Sequence, residues 1–147
     1  MDKNKIQIKE LDLGFLMDNG APEPFVFSNE KNLYLFFHKE NQNDNEWVML
    51  SFKNYFLFKF GLPREDSEHP YSKYGLSGYG VFETNQSPWI DELKSINKND
   101  QAYLKYGWNK LKHHIIPFHD STFECISEGF DFKEVKGKIK DIISKLI

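Results

Sequence analysis

A chain of 147 residues with a formal charge of −3 and a pI near 5.9 has the length of one domain and can bury roughly two-thirds of its unfolded surface without disulfide or metal staples. It has no general basic field, and Arg64 is its only arginine. It therefore lacks both the electrostatic footprint of nucleic-acid binding and the usual bidentate reader of phosphates and guanines.

The lone Cys125 excludes an internal disulfide framework and a multi-thiolate zinc site, and it fits a reducing compartment. The opening MDKNKIQIKELDLGFL lacks the apolar core of a signal peptide, and no run approaches the roughly 20 apolar residues of a membrane span. The reading is a soluble cytoplasmic protein. Aromatic residues make up 16% of the chain, including 14 Phe, which points to a phenylalanine-rich sheet core rather than a stacking platform.

Apolar and polar residues alternate from Ile6 to Leu13, predicting a first half-buried strand. Turn residues then crowd the segment from Asp18 to Pro24. Four runs rich in Phe, Tyr, Leu and Val follow at short spacing: Phe25 to Ser28, Leu33 to Lys39, Trp47 to Phe52 and Tyr55 to Phe60. Their short polar connections predict an antiparallel meander. The second and fourth runs are apolar on both faces, so those strands should be covered on each side. His38, at the end of the second run, reads as a hydrogen-bonded histidine rather than a ligand, because no metal spacing accompanies it.

The stretch GLPREDSEHPYSKYGLSGYG, from Gly61 to Gly80, is a long irregular connection of the kind that forms a lid or a binding loop or is disordered. Its GLSGYG element opens a strand rather than a helix, which argues against a phosphate cradle. After the predicted strand Tyr79 to Thr84, Ser87 as N-cap and Pro88 at the first helical position start an amphipathic helix with Trp89, Ile90, Leu93 and Ile96 on its apolar face. Asp100 can cap a second helix bearing Leu104, Trp108 and Leu111.

The segment HHIIPFHDSTFECISEGF, from His113 to Phe130, reads as a β-hairpin turning at Asp120-Ser121, with a two-residue loop or a four-residue loop from His119 to Thr122. The two-residue loop places His119 opposite Thr122, Phe118 opposite Phe123 and Ile116 opposite Cys125. Beyond Gly129, Asp131 and Glu134 resemble a capping box. Val135, Ile139, Ile142, Ile143 and Leu146 would then line a closing helix.

The chemistry-bearing residues crowd the hairpin. His119, Asp120 and Glu124 are the candidate catalytic groups, although adjacent strand residues face opposite sides, so the letters His-Asp-Ser in a row do not make a triad. Asp120 and Ser121 are equally suited to bonding the turn backbone, with His119 and Thr122 flanking it. Glu83 and Glu124 would pair as carboxylates if their strands adjoin. Cys125 in an apolar strand reads as an inert core thiol. No HxH or HExxH spacing occurs, so neither a metal nor a cofactor is expected. Tyr71, Tyr74, Tyr79, Glu83, Ser121 and Thr122 complete the candidate binding residues.

Gly75-Leu76, Tyr79 to Glu83, Asn85, Ser87, Trp89 and above all FHDSTFEC from Phe118 to Cys125 resemble a group of small, uncharacterised bacterial proteins over about the second half of the chain. The resemblance implies no activity, only that the loop from His69 to Gly80 and the hairpin belong together.

The expected fold is α+β over residues 1–147 as one domain. It has an antiparallel sheet of six to eight strands, made of an N-terminal meander and a C-terminal hairpin, with two middle helices and a C-terminal helix packed on it. The leading function is a non-enzymatic binding module, a regulatory or inhibitory partner of another protein, with no nucleic-acid or membrane partner. The alternative is a hydrolase-like enzyme using His119 with Asp120 or Glu124 as acid/base groups.

Overall fold

The structure, a computed structural model, describes residues 6–18, 23–63, 69–96, 98 and 108–147. Among these residues it is predominantly β, with nine strands in two antiparallel sheets. Sheet A has the order β1 (Lys9–Leu11), β6 (Val81–Thr84), β7 (Lys112–Pro117), β8 (Thr122–Ser127), β5 (Leu57–Gly61), and sheet B the order β2 (Phe25–Ser28), β3 (Leu33–Phe37), β4 (Glu46–Phe52), β9 (Phe130–Lys136). The single sheet and the helical layer expected above are therefore replaced by a sandwich. Among the described residues the helices are minor: α1 (Pro88–Ile96), α2 (Ile139–Ser144) and two single-turn 3₁₀ segments, Ser72–Tyr74 and Trp108–Lys110. The predicted helix after Asp100 lies largely outside the described residues.

Side-chain alternation builds the layers. Leu33, Leu35 and Phe37 of β3 and Val48, Leu50 and Phe52 of β4 face Val81, Ile116, Phe123 and Cys125 of sheet A, forming the main core. The opposite parity of sheet B, Phe36, Trp47 and Met49, is covered by Ile139, Ile142, Ile143 and Leu146 in and around α2. The outer face of sheet A is covered twice. Ile90 and Leu93 of α1 pack with Leu111 and Ile126, and Leu76 of the 69–80 loop packs with Phe82 and Ile115.

Three local expectations are corrected, each for an identifiable reason. The meander holds for β2, β3 and β4, but the fourth run crosses to sheet A and pairs with β8, Phe58 opposite Cys125. The crossing starts at Asn54, which adopts φ 48°, and it is pinned by bonds from Lys53 N–H to Gly129 O and from Phe56 N–H to Ile126 O. The segment from Asp131 to Lys136 belongs to strand β9, not to the start of the closing helix: all seven residues of Phe130–Lys136 pair with β4, Phe130 packing on the main core and Val135 on the α2 side. Helix begins only past Gly137, at φ +129°. The hairpin turn is Phe118 to Ser121, closed by Phe118 N–H to Ser121 O at 2.7 Å, so Ile116 faces Phe123 and His114 faces Cys125.

The start signal of α1 is borne out: the Ile90 N–H donates to Ser87 Oγ at 3.1 Å and the Asp91 N–H to Ser87 O at 3.0 Å. Ile96, placed on the apolar face from spacing, is exposed instead. No helix among the described residues is long and apolar enough to cross a membrane.

Candidate functional site

Neighbouring histidines on β7 point to opposite faces of sheet A, and each organises a polar cluster. His113 faces outward, into the seam between the apolar patches under α1 and under the 69–80 loop. Its Nδ1 lies 2.8 Å from Ser87 Oγ and its Nε2 lies 2.8 Å from Glu124 Oε1. Glu124 Oε2 lies 3.1 Å from His69 Nε2. The Tyr71 N–H donates to His69 Nδ1 at 2.9 Å, so the His69 proton sits on Nε2 and is donated to Glu124. Ionised Glu124 likewise requires the His113 proton on Nε2, which leaves Nδ1 to accept from the Ser87 hydroxyl. The result is one directed chain, Ser87 to His113 to Glu124, with His69 donating from the other side.

The chain is closed to solvent. Ser87, His113 and Glu124 are 1%, 0% and 2% exposed. Tyr71 and Trp89 set their rings edge-on to His113, with centroids at 5.5 and 5.1 Å. Lys59 spans the rim, its Nζ 3.8 Å from Glu124 Oε2 and 4.5 Å from the Trp89 ring centre. Burial pushes the Glu124 carboxyl up, but hydrogen bonds from His113 and His69, together with the charges of His113 and Lys59, bring it down to about 2. Burial holds the His113 imidazole below its ordinary value, with the Glu124 bond working against it. Burial, followed by the Glu124 charge, raises the Tyr71 hydroxyl.

His114 faces inward. Its Nε2 lies 3.0 Å from Glu83 Oε1, while Lys9 and Lys112 approach the same carboxylate at 3.6 and 3.8 Å. The His114 bond is the main reason that the Glu83 carboxyl lies below the ordinary range, against the opposing effect of burial.

The site residues expected from sequence therefore divide. Glu124 anchors the buried chain, but His119 and Asp120 do not join it. They sit exposed on the turn, His119 Nε2 3.9 Å from Asp120 Oδ1. Glu83 and Glu124 are held apart, on β6 and β8 with β7 between and on opposite faces. Thr122 is buried and its hydroxyl donates to Pro63 O at 2.7 Å, while the Ser121 carbonyl closes the turn. Tyr71, Tyr74 and Tyr79 are half-buried.

The partners missed from sequence are His69, Ser87 and His113. The alternation of KHHIIP was the available signal, since it forces His113 and His114 to opposite sides. Their partners come from distant segments. Among the described residues, no group of three or more His, Cys, Asp or Glu side chains could hold a metal.

Cys125 is fully buried between the sheets, and burial raises its thiol far above the ordinary range. Native protein should therefore stay unmodified by iodoacetamide at pH 8 and take up one equivalent once unfolded. Rapid native alkylation would contradict the packing.

Searches against protein-family models, curated proteins and solved structures gave no match for this chain.

Proposed function

We propose that this chain is a non-enzymatic binding module, acting as a regulatory or inhibitory partner in the bacterial cytoplasm, and that the 69–80 loop is its contact surface. The observation that supports this is the His69–Glu124 bond, which ties residues 55 positions apart and fixes the start of the loop to the central sheet. Further bonds hold it along its length: Ile8 N–H to Tyr74 O at 3.1 Å, and Gly75 N–H to Ser72 O at 3.2 Å with Gly75 at φ +109°. A Cβ at Gly75 would lie 3.0 Å from Ile8 O, so the close approach of loop to strand needs glycine there. A loop held this way loses little conformational freedom when it binds. Its half-buried tyrosines offer rigid amphipathic contacts.

A hydrolase is the second reading, favoured by the Ser87–His113–Glu124 chain rather than by His119. Ser87 Oγ would attack and His113 Nδ1 would take its proton. Two features oppose it: Ser87 is sealed from solvent, and its oxygen already caps α1.

The two readings separate in one preparation. A fluorophosphonate probe should leave Ser87 unlabelled, and an adduct on Ser87 would overturn the binding reading. A photo-crosslinking residue at Tyr74 or Tyr79 should capture a discrete partner in cells, whereas the same residue at Asp44 should not. Equal capture at all three positions would remove the loop from consideration.

A further inference from the structure

We propose that the cleft where β1 diverges from β6 binds a small oxyanion, a carboxylate or a phosphate, between Lys9 and Lys112. The cleft lies beside the inward-facing His114–Glu83 pair, apart from the 69–80 loop. It encloses about 340 Å³ lined by Gln7, Lys9, Glu83, Thr84, Asn85 and Lys112, at the small end of ligand-site sizes.

Cross-strand register assembles it. Lys9 stands opposite Glu83, and Glu83 opposite His114. Gln7, Asn85 and Lys112 each lie two positions beyond this row along their own segments, which is one pleat repeat.

Charge balance points to an anion. Glu83 supplies one negative charge and already accepts the His114 N–H at 3.0 Å. Two ammonium groups face that single carboxylate at 3.6 and 3.8 Å, well outside the 2.7–2.9 Å of fully engaged charge-assisted bonds. Among the described residues Glu83 is the only acidic one in the lining, against Lys9 and Lys112, so these groups leave an excess positive charge in the cleft. The side-chain amides of Gln7 and Asn85 can orient the oxygens of a bound oxyanion. Lys9 and Lys112 are 73% and 45% exposed, which leaves both ammonium groups accessible from outside.

Titrating ¹⁵N-labelled protein at constant ionic strength with inorganic phosphate, acetate or chloride tests the site. Phosphate or acetate should give saturable shifts centred on Gln7, Lys9, Asn85 and Lys112, and chloride should not; whichever of the two saturates at lower concentration identifies the preferred anion. Lys9→Ala, at an exposed position, and Lys112→Ala, at a half-buried strand end, should each weaken binding at least fivefold.

Glu83→Gln should do the opposite. It keeps an acceptor for His114 while removing the competing negative charge, so it should tighten binding at least threefold, whereas simple damage to the fold would weaken it. Linear shifts shared with chloride, or no tightening in Glu83→Gln, would overturn the proposal. Neither result bears on the loop's role as a contact surface.

Discussion

Glu124→Leu is expected to cost roughly 3–5 kcal/mol of stability, because it leaves the buried N–H groups of His113 and His69 facing an apolar side chain. For a chain of this length that corresponds to a fall in Tm of roughly 10 °C. Glu124→Gln keeps one acceptor but turns an amide N–H₂ toward the other histidine, so it should cost less, roughly 1–3 kcal/mol.

The pH dependence carries a distinct signature. The folded-state Glu124 carboxyl lies near 2, below the unfolded value of about 4.3. Its contribution is therefore complete above about pH 4.3 and is lost as pH falls toward 2. The lowered His113 value acts in the same direction: the neutral ring contributes fully above about pH 6.5, and that contribution is lost as pH falls through the folded value. Because Glu124→Leu removes the carboxylate and also the bond that holds the His113 value up, the Tm gap between wild type and variant should widen as pH falls through the folded His113 value and shrink below pH 4. A gap that stays constant to pH 3, or a loss under about 1 kcal/mol at pH 7, would show that the chain does not hold the structure as described.

Phe123→Ala should be comparably damaging, at roughly 3–5 kcal/mol. Phe123 is fully buried at the centre of the sandwich, with ring centroids 5.4 Å from Phe52 and 6.0 Å from Phe58. It joins β4 of one sheet to β5 and β8 of the other, so truncation opens a cavity between the sheets, where relaxation of either is resisted by its own ladder. Urea unfolding should show a lower midpoint with an unchanged slope. A midpoint indistinguishable from wild type would mean that the two sheets do not meet there.

Strand positions were largely legible in the sequence; sheet membership was not. The runs FVFS, LYLFF and WVMLSF are too aromatic and too short for anything but strand, and they pair as their connections suggest. The YFLFKF run has the same character, yet its short link through Lys53-Asn54 pointed to a fourth meander strand. Only the bonds made by Lys53 and Phe56 with the distant β8–β9 segment redirect it.

FDFKEVK satisfied two patterns at once. The acidic residues matched a helix cap, while Phe130 and Phe132 matched the inner face of a strand; the free edge of β4 decided the outcome. The candidate site divided for the same reason. Local pattern fixed the N-cap role of Ser87 and the turn around Asp120. The chain from Ser87 through His113 to Glu124, with His69 on the far side of Glu124, depends on which strands are neighbours, and spacing along the sequence carries no record of that.

The strand order also constrains the molecule's assembly during synthesis. The meander β2–β3–β4 draws on fewer than 30 consecutive residues and can close locally. Sheet A joins residues 57–61 to 122–126 and residues 9–11 to 81–83, so it cannot be complete until β8 has left the ribosome. Until then, Leu33, Leu35, Phe37, Val48, Leu50 and Phe52 have no opposing layer. The nascent protein thus carries an uncovered hydrophobic surface from the emergence of β4 to that of β8, a state that invites chaperone capture or self-association.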